Sequence, residues 1–433
     1  MTVAVFVLSL LGAMALGMPI AYALLACGVA LMGYLALIGG LPAFDSQIIA
    51  QRFVDGADNF PLLAVPFFLL AGEFMTAGGL SRRIVNMAMA WVGHFRGGMG
   101  YVAVVAAIIL ASISGSAVAD TAALAALLIP MMKAAGYQVN RSAGLIAAGG
   151  IIAPVIPPSI GMIVFGVAAN VSITKLFLAG IVPGVLMGMA IGITWWIVAK
   201  KENVKSAPRV PWGERLLITL RGSLALGLPV LIIGGMKFGI FTPTEAAVVA
   251  AVYSLLVGMF VYGELKVNML YRLTLAAGKT TAVVMFLVAA AMVSAWLITV
   301  ANIPTEVVGM LEPFMGNKIL LMFMMMLLIV IVGTALDFTP TVLILTPVLM
   351  PVVLKAGIDP VYFGVLFIMN NAIGLITPPV GTVLNVVSGV ARISMDDAFK
   401  GVMPFFIAHL VVLFTLVFFP SIVTEPLRWW MRL

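Results

Sequence analysis

Runs of about twenty apolar residues follow one another from the first residues to about position 420, and that succession excludes most folds before any motif is read. A helix needs about 20 such residues to cross a hydrocarbon layer of roughly 30 Å. Backbone within that layer must satisfy its own polar groups, so the crossing elements are helices. Charged residues are 9% of the 433 and hydrophobic ones 63%, against about 25% charge in a soluble domain, which leaves no stretch for a separate water-soluble domain. The opening Met1-Thr2-Val3-Ala4-Val5 enters an apolar segment without the basic leader and small-residue cleavage site of a secretory signal. A retained first span is the expectation.

The formal charge of +7 sits in short loops between apolar runs, not in a basic stripe interleaved with aromatics, and argues against nucleic acid as a partner. A single cysteine, Cys27, leaves no internal disulfide or cysteine metal cluster and reads as packing. His94 and His409 are too few and too far apart in sequence for a zinc site.

Comparing the chain with itself at a shift of 221 positions brings Pro130, Pro157, Pro158 and Pro183 onto Pro351, Pro378, Pro379 and Pro404, and Gly136 and Gly180 onto Gly357 and Gly401. Leu124, Leu128 and Ala135 also meet identical residues with no gap over about sixty positions. The leucines carry little weight in this composition, whereas each proline or glycine fixes a backbone feature. Lysine and arginine in short loops mark the cytoplasmic side. Lys200, Lys201, Lys205, Arg209, Arg215 and Arg221 place the longest polar stretch there, and Arg82, Arg83 and Arg96 place a first-half connection there. The second-half counterpart, 304–318, carries Glu306 and Glu312 instead, and the loop of Asp45, Asp55 and Asp58 reads as external. These signs agree if each half makes an odd number of crossings, so the repeat is expected to be inverted.

The resulting expectation is an all-α polytopic membrane protein, each half having five crossings and one re-entrant hairpin. Spans fall near 2–16, 18–40, 60–78, 142–170 and 175–199, with a first hairpin at 98–137 and a broken helix at 142–170. A basic cytoplasmic linker covers 200–221, and the second repeat runs over 222–433 with a hairpin at 318–356 and a broken helix at 361–390. The tail bearing Arg428, Trp429, Trp430 and Arg432 either lies outside or returns as an interfacial segment, since tryptophan suits the headgroup zone.

Four stretches look non-helical at membrane depth, where such backbone is tolerated only if protein encloses it or it lines a polar cavity. Two are hairpin tips, Ser112-Ile113-Ser114-Gly115-Ser116 and Gly333-Thr334-Ala335-Leu336-Asp337-Phe338-Thr339-Pro340-Thr341. Two are breaks, Ala153-Pro154-Val155-Ile156-Pro157-Pro158-Ser159 and Gly374-Leu375-Ile376-Thr377-Pro378-Pro379-Val380-Gly381. Adjacent prolines remove two donors and free the carbonyls about four residues earlier, and free carbonyls suit a bare sodium ion. Paired broken helices at matching positions of inverted repeats point to a midplane site. Their ends offer carbonyls to a cation and amides to an anion. The bland alternative is that Pro-Pro kinks a helix for packing and the hydroxyls bond their own backbone.

A charge at the bilayer centre costs on the order of 3 kcal/mol, so Asp120 and Asp337 stand out at the tips. Asp337 either ligates a cation, holds a proton or caps the following hairpin arm. Asn370 and Asn371 bond either substrate or a neighbouring helix, Glu73 pairs with an arginine as a structural contact, and Arg392 either meets a carboxylate or anchors the cytoplasmic end. The residues taken as candidates for substrate contact are Ser116, Asp120, Thr339, Asn371 and Arg392. No His-Glu-x-x-His, no serine with a nearby base and no Walker loop is present, which speaks against an intramembrane enzyme and against ATP as the driver.

The stretch from Leu63-Ala64-Val65-Pro66-Phe67-Phe68 through Gly72-Glu73-Phe74-Met75, with Gly78-Gly79-Leu80-Ser81-Arg82-Arg83, Ser114-Gly115-Ser116, Ile129-Pro130-Met131, Gly136-Tyr137, Ile156-Pro157-Pro158-Ser159 and Pro183-Gly184, resembles the large membrane subunit of tripartite ATP-independent periplasmic (TRAP) transporters. The resemblance covers nearly the whole chain. It implies a mobile transport domain of hairpins and broken helices that slides against a scaffold as an elevator, with sodium as coupling ion and no other cofactor. Carried over by position, one sodium site uses Ser112, Ser114, Ala153, Ile156 and Pro158, and the other Gly333, Asp337, Gly374, Thr377 and Pro379. The sequence departs from the family's commonest pattern at Asp120. The resemblance further implies a small four-helix membrane subunit, a periplasmic solute-binding protein, a small carboxylate substrate such as a C4-dicarboxylate or sialic acid, and a place in the bacterial or archaeal cytoplasmic membrane. A stand-alone sodium- or proton-coupled anion carrier of the same superfamily is the alternative.

Overall fold

The computed structural model describes residues 2–39, 44–202 and 208–432, which leaves Lys205 of the basic linker outside the described residues. Those residues form helices and connecting turns, and ten of the helices are long and apolar enough to cross a membrane by length and composition. The chain is a multi-pass membrane protein. The first helix, Thr2–Ala15, has 14 residues and is shorter than those ten.

Polar residues set the helix ends where the sequence changes character. Asn317 accepts from the amides of Ile319 and Leu320, and Asp359 accepts from those of Val361 and Tyr362. Thr242 and Glu245 form a reciprocal capping box at the start of the helix Pro243–Leu256. Helices enter the expected linker from both sides: Ile173–Glu202 carries Lys200 and Lys201 in its last turn, and Trp212–Lys237 carries Glu214 in its first. Both placements suit the helix dipole. Four further helices stand outside the crossings of the sequence reading, namely Ser46–Ala57, Leu80–Val92, Ile303–Leu311 and Ser421–Arg432. In the last of these Val423 is buried while Trp429 is exposed.

The segments that matter most are two helix pairs and two interrupted helices. The first pair is Gly98–Ser114 with Ala117–Ala134, and the second is Lys318–Ala335 with Phe338–Lys355. The first interrupted helix runs Val139–Gly150 and resumes at Ile160–Ala169; the second runs Pro360–Gly374 and resumes at Thr382–Ala391. In each half the pair packs on the interrupted helix of that half. The return arm of each pair also packs on the resumed helix of the other half, Ala117–Ala134 on Thr382–Ala391 and Phe338–Lys355 on Ile160–Ala169. At the centre Phe165 meets Phe367 with ring centroids 5.6 Å apart and Phe363 at 6.3 Å, all three rings buried. That aromatic cluster locks the two interrupted helices together, and the backbones come close enough there that a Cβ on Gly364 would strike the Phe165 ring. Buried His409 joins a later span to the first interrupted helix, its Nε2 3.1 Å from the Ala148 carbonyl, and Cys27 is packed against Ser294 at 3.7 Å.

Candidate functional site

The first tip turns at Gly115, whose φ of +64° is a left-handed conformation that glycine adopts freely. A Cβ there would also strike the carbonyl oxygen of Pro158, so the tip rests directly on the first break. Ser114 Oγ donates to Asp120 Oδ1 at 2.5 Å and accepts from the Ser116 amide at 3.1 Å, while Ser116 caps the return arm through the Ala119 amide. Asp120 is buried, and among the described residues neither its Oδ2 nor the hydroxyl of neighbouring Thr121 has a hydrogen-bond partner. Ser112 gives its proton to its own helix, at the Ile109 carbonyl.

The first break is buried from Ile151 to Ser159. Ser159 organises it by accepting from the Met162 amide and donating to the Pro154 carbonyl. Two adjacent prolines supply no donors, so the carbonyls of Ala153, Ile156 and Pro158 accept no hydrogen bond among the described residues. Buried backbone carbonyls are rarely left unpaired, and one of these, that of Pro158, lies against the tip at Gly115, where a cation would find an acceptor.

At the second tip Asp337 occupies the capping position but caps nothing. Its Oδ1 accepts instead from Thr382 Oγ1, at 3.3 Å, which ties the tip to the start of the resumed helix. The last turn of the outgoing arm lies against the break: a Cβ on Gly374 would sit 2.7 Å from the Gly333 carbonyl oxygen. That oxygen and the carbonyls of Thr377 and Pro379 accept no hydrogen bond among the described residues, whereas the Gly374 carbonyl accepts from the Thr377 amide. Thr377 Oγ1 donates to the Ile373 carbonyl at 2.9 Å, which leaves its lone pairs free. Both Pro-Pro bonds, Pro157-Pro158 and Pro378-Pro379, are cis.

The two asparagines do bond across helices through their amide nitrogens, Asn370 to the Met326 carbonyl at 2.7 Å and Asn371 to the Phe338 carbonyl at 2.6 Å. Among the described residues both Oδ1 atoms are buried without a hydrogen-bond partner, so each asparagine keeps an acceptor in reserve. Of the substrate candidates, Ser116 and Asp120 stand at the first tip, and Thr339 and Asn371 at the second. Arg392 is exposed, at the far end of the ten-residue helix Thr382–Ala391, about 15 Å along the axis from Thr382.

Glu73 makes no ion pair among the described residues. It lies on the helix Ala64–Ala77 and lines a cavity of about 230 Å³ with Gly72, Thr76, Ser114 and Ser116. A carboxylate thus faces the first tip from outside it. Glu73 and Thr382 were not legible as site residues, since nothing in their local sequence announces a partner dozens of positions away.

The chain matches the family model described as "Tripartite ATP-independent periplasmic transporter, DctM component" over residues 7–422. It is 56% identical, over 99% of its length and 100% of the other's, to the 2,3-diketo-L-gulonate TRAP transporter large permease protein YiaN of Escherichia coli. It is 39% identical to the isethionate TRAP transporter permease protein DctMQ of Oleidesulfovibrio alaskensis, over 94% of this chain and 63% of that longer one. Among solved structures, the YdaH transporter of Alcanivorax borkumensis superimposes with a TM-score of 0.67 over 92% of this chain and 96% of the other at 16% identity, a likeness of fold.

Proposed function

The chain belongs to the DctM family of TRAP transporter large permease subunits, proteins of transport and not of catalysis, and on that premise we propose that it carries a small organic anion into the cell together with sodium ions. The observation that supports this most directly is the pairing of each Pro-Pro break with a polar tip that carries an aspartate, Gly115 resting on the Pro158 carbonyl and Gly374 on the Gly333 carbonyl, neither of which accepts a hydrogen bond among the described residues. Sodium binds at the first tip to Ser112, Ser114, Ala153, Ile156 and Pro158, and at the second to Gly333, Asp337, Gly374, Thr377 and Pro379. The substrate lies between the tips near Ser116, Asp120, Thr339 and Asn371; Arg392 joins them only if its helix end moves inward.

In this reading the two helix pairs are re-entrant hairpins of an inverted repeat, and the aromatic lock of Phe165, Phe363 and Phe367 keeps hairpins and broken helices together as one body. That body, together with the span that His409 joins to the first interrupted helix, slides as an elevator against the other helices. Relatives named for 2,3-diketo-L-gulonate and isethionate favour a small organic acid, and the 56% relative favours a sugar acid within that class. DctMQ is much longer than the region it shares with this chain, in keeping with a separate small membrane subunit as partner here. A periplasmic binding protein delivers the substrate, and the cytoplasmic membrane is the site of action.

Reconstitution of the chain with its small subunit in liposomes tests this. Uptake of a sugar acid from a loaded binding protein is expected only with an inward sodium gradient. Undiminished uptake after sodium removal refutes the coupling, and uptake without any binding protein favours the stand-alone carrier.

A further inference from the structure

A cavity of about 420 Å³ lies away from both tips, between the helix Leu80–Val92 and the helix Trp212–Lys237. Its lining holds Arg82, Arg83 and Arg221 with a single carboxylate, Glu264. Both arginines of Leu80–Val92 converge on that carboxylate, Arg82 Nη2 at 2.7 Å and Arg83 Nη1 at 2.7 Å, and Arg83 also stacks on Tyr262 with its guanidinium carbon 3.7 Å from the ring centroid. Arg221 forms no ion pair among the described residues. Among the described residues the lining therefore carries two more positive charges than negative ones.

The surroundings add to that excess. Arg215, 3% exposed, donates its Nε to the carbonyl of Val210, which lines the same cavity, and its Nη2 is buried with no hydrogen-bond partner among the described residues. Met89 and Ile218 make part of the wall apolar. Alongside, Trp91 and Trp212 meet edge to face at 5.9 Å, both exposed, and Trp91 is fixed by its Nε1 donating to Thr219. Tryptophans of this kind sit at the level of lipid headgroups. The abundance of arginine places the cavity on the cytoplasmic side, where the leaflet is anionic and basic pockets between helices take lipid headgroups.

We propose that this cavity binds the phosphate of an anionic phospholipid headgroup, with Arg221 as its main ligand and the acyl chains running down the apolar wall beside Trp91 and Trp212. A free phosphate ion shares the charge chemistry but gains nothing from the apolar wall. The lipid secures the helix Leu80–Val92 to the Trp212–Lys237 span and leaves both tips untouched.

The test is thermal unfolding of the purified full-length chain in neutral detergent with added phosphatidylglycerol, phosphatidylcholine of the same acyl chains, or inorganic phosphate. Saturating phosphatidylglycerol is expected to raise the wild-type midpoint by roughly 3–5 °C, with no rise from the other two. Arg221→Gln loses the rise, while Lys400→Gln, an exposed cation elsewhere, keeps it. Asn86→Asp, which adds a carboxylate to the lining, serves if Arg221→Gln does not fold. An equal response in wild type and Arg221→Gln, or an equal effect of phosphatidylcholine, overturns the proposal. An equal effect of inorganic phosphate shows a soluble-anion site and overturns the lipid assignment.

Discussion

Gly374→Ala probes the second tip where it is tightest. The new Cβ would stand 2.7 Å from the Gly333 carbonyl oxygen and 3.1 Å from its carbon. Contacts of this kind become ordinary at 3.4 Å, so the outgoing hairpin arm and the break must part by about 0.7 Å. Both partners are backbone, with no flexible side chain to yield. Forced overpacking in a close-packed interior costs about 1–3 kcal/mol, and if that strain falls on the geometry of the cation site it weakens sodium binding by about 5- to 150-fold.

Gly333→Ala is the matched control on the other side of the same contact. Its Cβ would meet nothing closer than Asn371 Oδ1 at 3.7 Å and the Gly374 Cα at 3.8 Å. Within a helix the change even favours the folded chain by up to about 1 kcal/mol. Sodium half-saturation is measured from initial uptake in proteoliposomes, and thermal unfolding at several sodium concentrations separates binding from folding. A Gly374→Ala protein whose half-saturation stays within about twofold of wild type, or a Gly333→Ala protein impaired as badly, removes the Gly333 carbonyl from the cation site.

Asp337→Asn and Thr377→Ala are each expected to lower sodium affinity with expression intact, because Asp337 caps no helix and Thr377 bonds only its own backbone; unchanged sodium dependence in both excludes them. Glu73→Gln breaks no ion pair, so unfolding temperature should hold while substrate half-saturation moves; the reverse pattern makes Glu73 a structural residue. Glu264 titrates outside the spans: burial alone raises its pKa, but the hydrogen bonds and charges of Arg83 and Arg82 outweigh that and hold it below the usual carboxylate range. A carboxyl lowered in this way stabilises the fold above its unfolded pKa and ceases to do so as pH falls through the folded value. Glu264→Gln is therefore expected to destabilise by about 1 kcal/mol near neutral pH, with the gap to wild type closing in acid; a gap that does not depend on pH refutes the ion pair as its source.

How much of this could be read from sequence depends on which residues dictate backbone. Pro157-Pro158 and Pro378-Pro379 cannot continue a helix, and the described helices stop short of both. The tips were visible because hydroxyls, glycine and aspartate interrupt apolar runs. Partners were not visible. Asp337 and Thr382 are 45 positions apart and Asn370 and Met326 are 44 apart, distances at which no local pattern speaks. Alternatives left open for Asp337 and Asn371 divide only once neighbours are known: the aspartate does not cap, and the asparagine bridges helices while keeping an oxygen free. The helices Ser46–Ala57, Leu80–Val92 and Ile303–Leu311 were missed because their polar residues resemble loop sequence, although an amphipathic helix spaces them in the same way; Ser421–Arg432 falls on the tail for which an interfacial return was one of the two readings.

The 221-residue register also shows where the halves differ, and the differences bear on which tip opens. Asp337 corresponds to Ser116 and Thr341 to Asp120, so the carboxylate stands at the second tip but one turn inside the return arm at the first. Asn371 corresponds to Gly150, which lies directly against the Thr121 side chain of the first return arm, where the second interrupted helix reaches its hairpin through an asparagine amide. The first break is buried throughout, whereas Thr377 and Pro378 are half-buried and Pro379 is exposed. Elements that open to admit a ligand come from the less buried, less tightly bonded end of a structure. The second tip is therefore expected to open before the first. Amide hydrogen exchange over 336–342 is expected to exceed that over 115–121 in the absence of sodium and to slow when sodium is added. Faster exchange at the first tip would assign the opening to the wrong half.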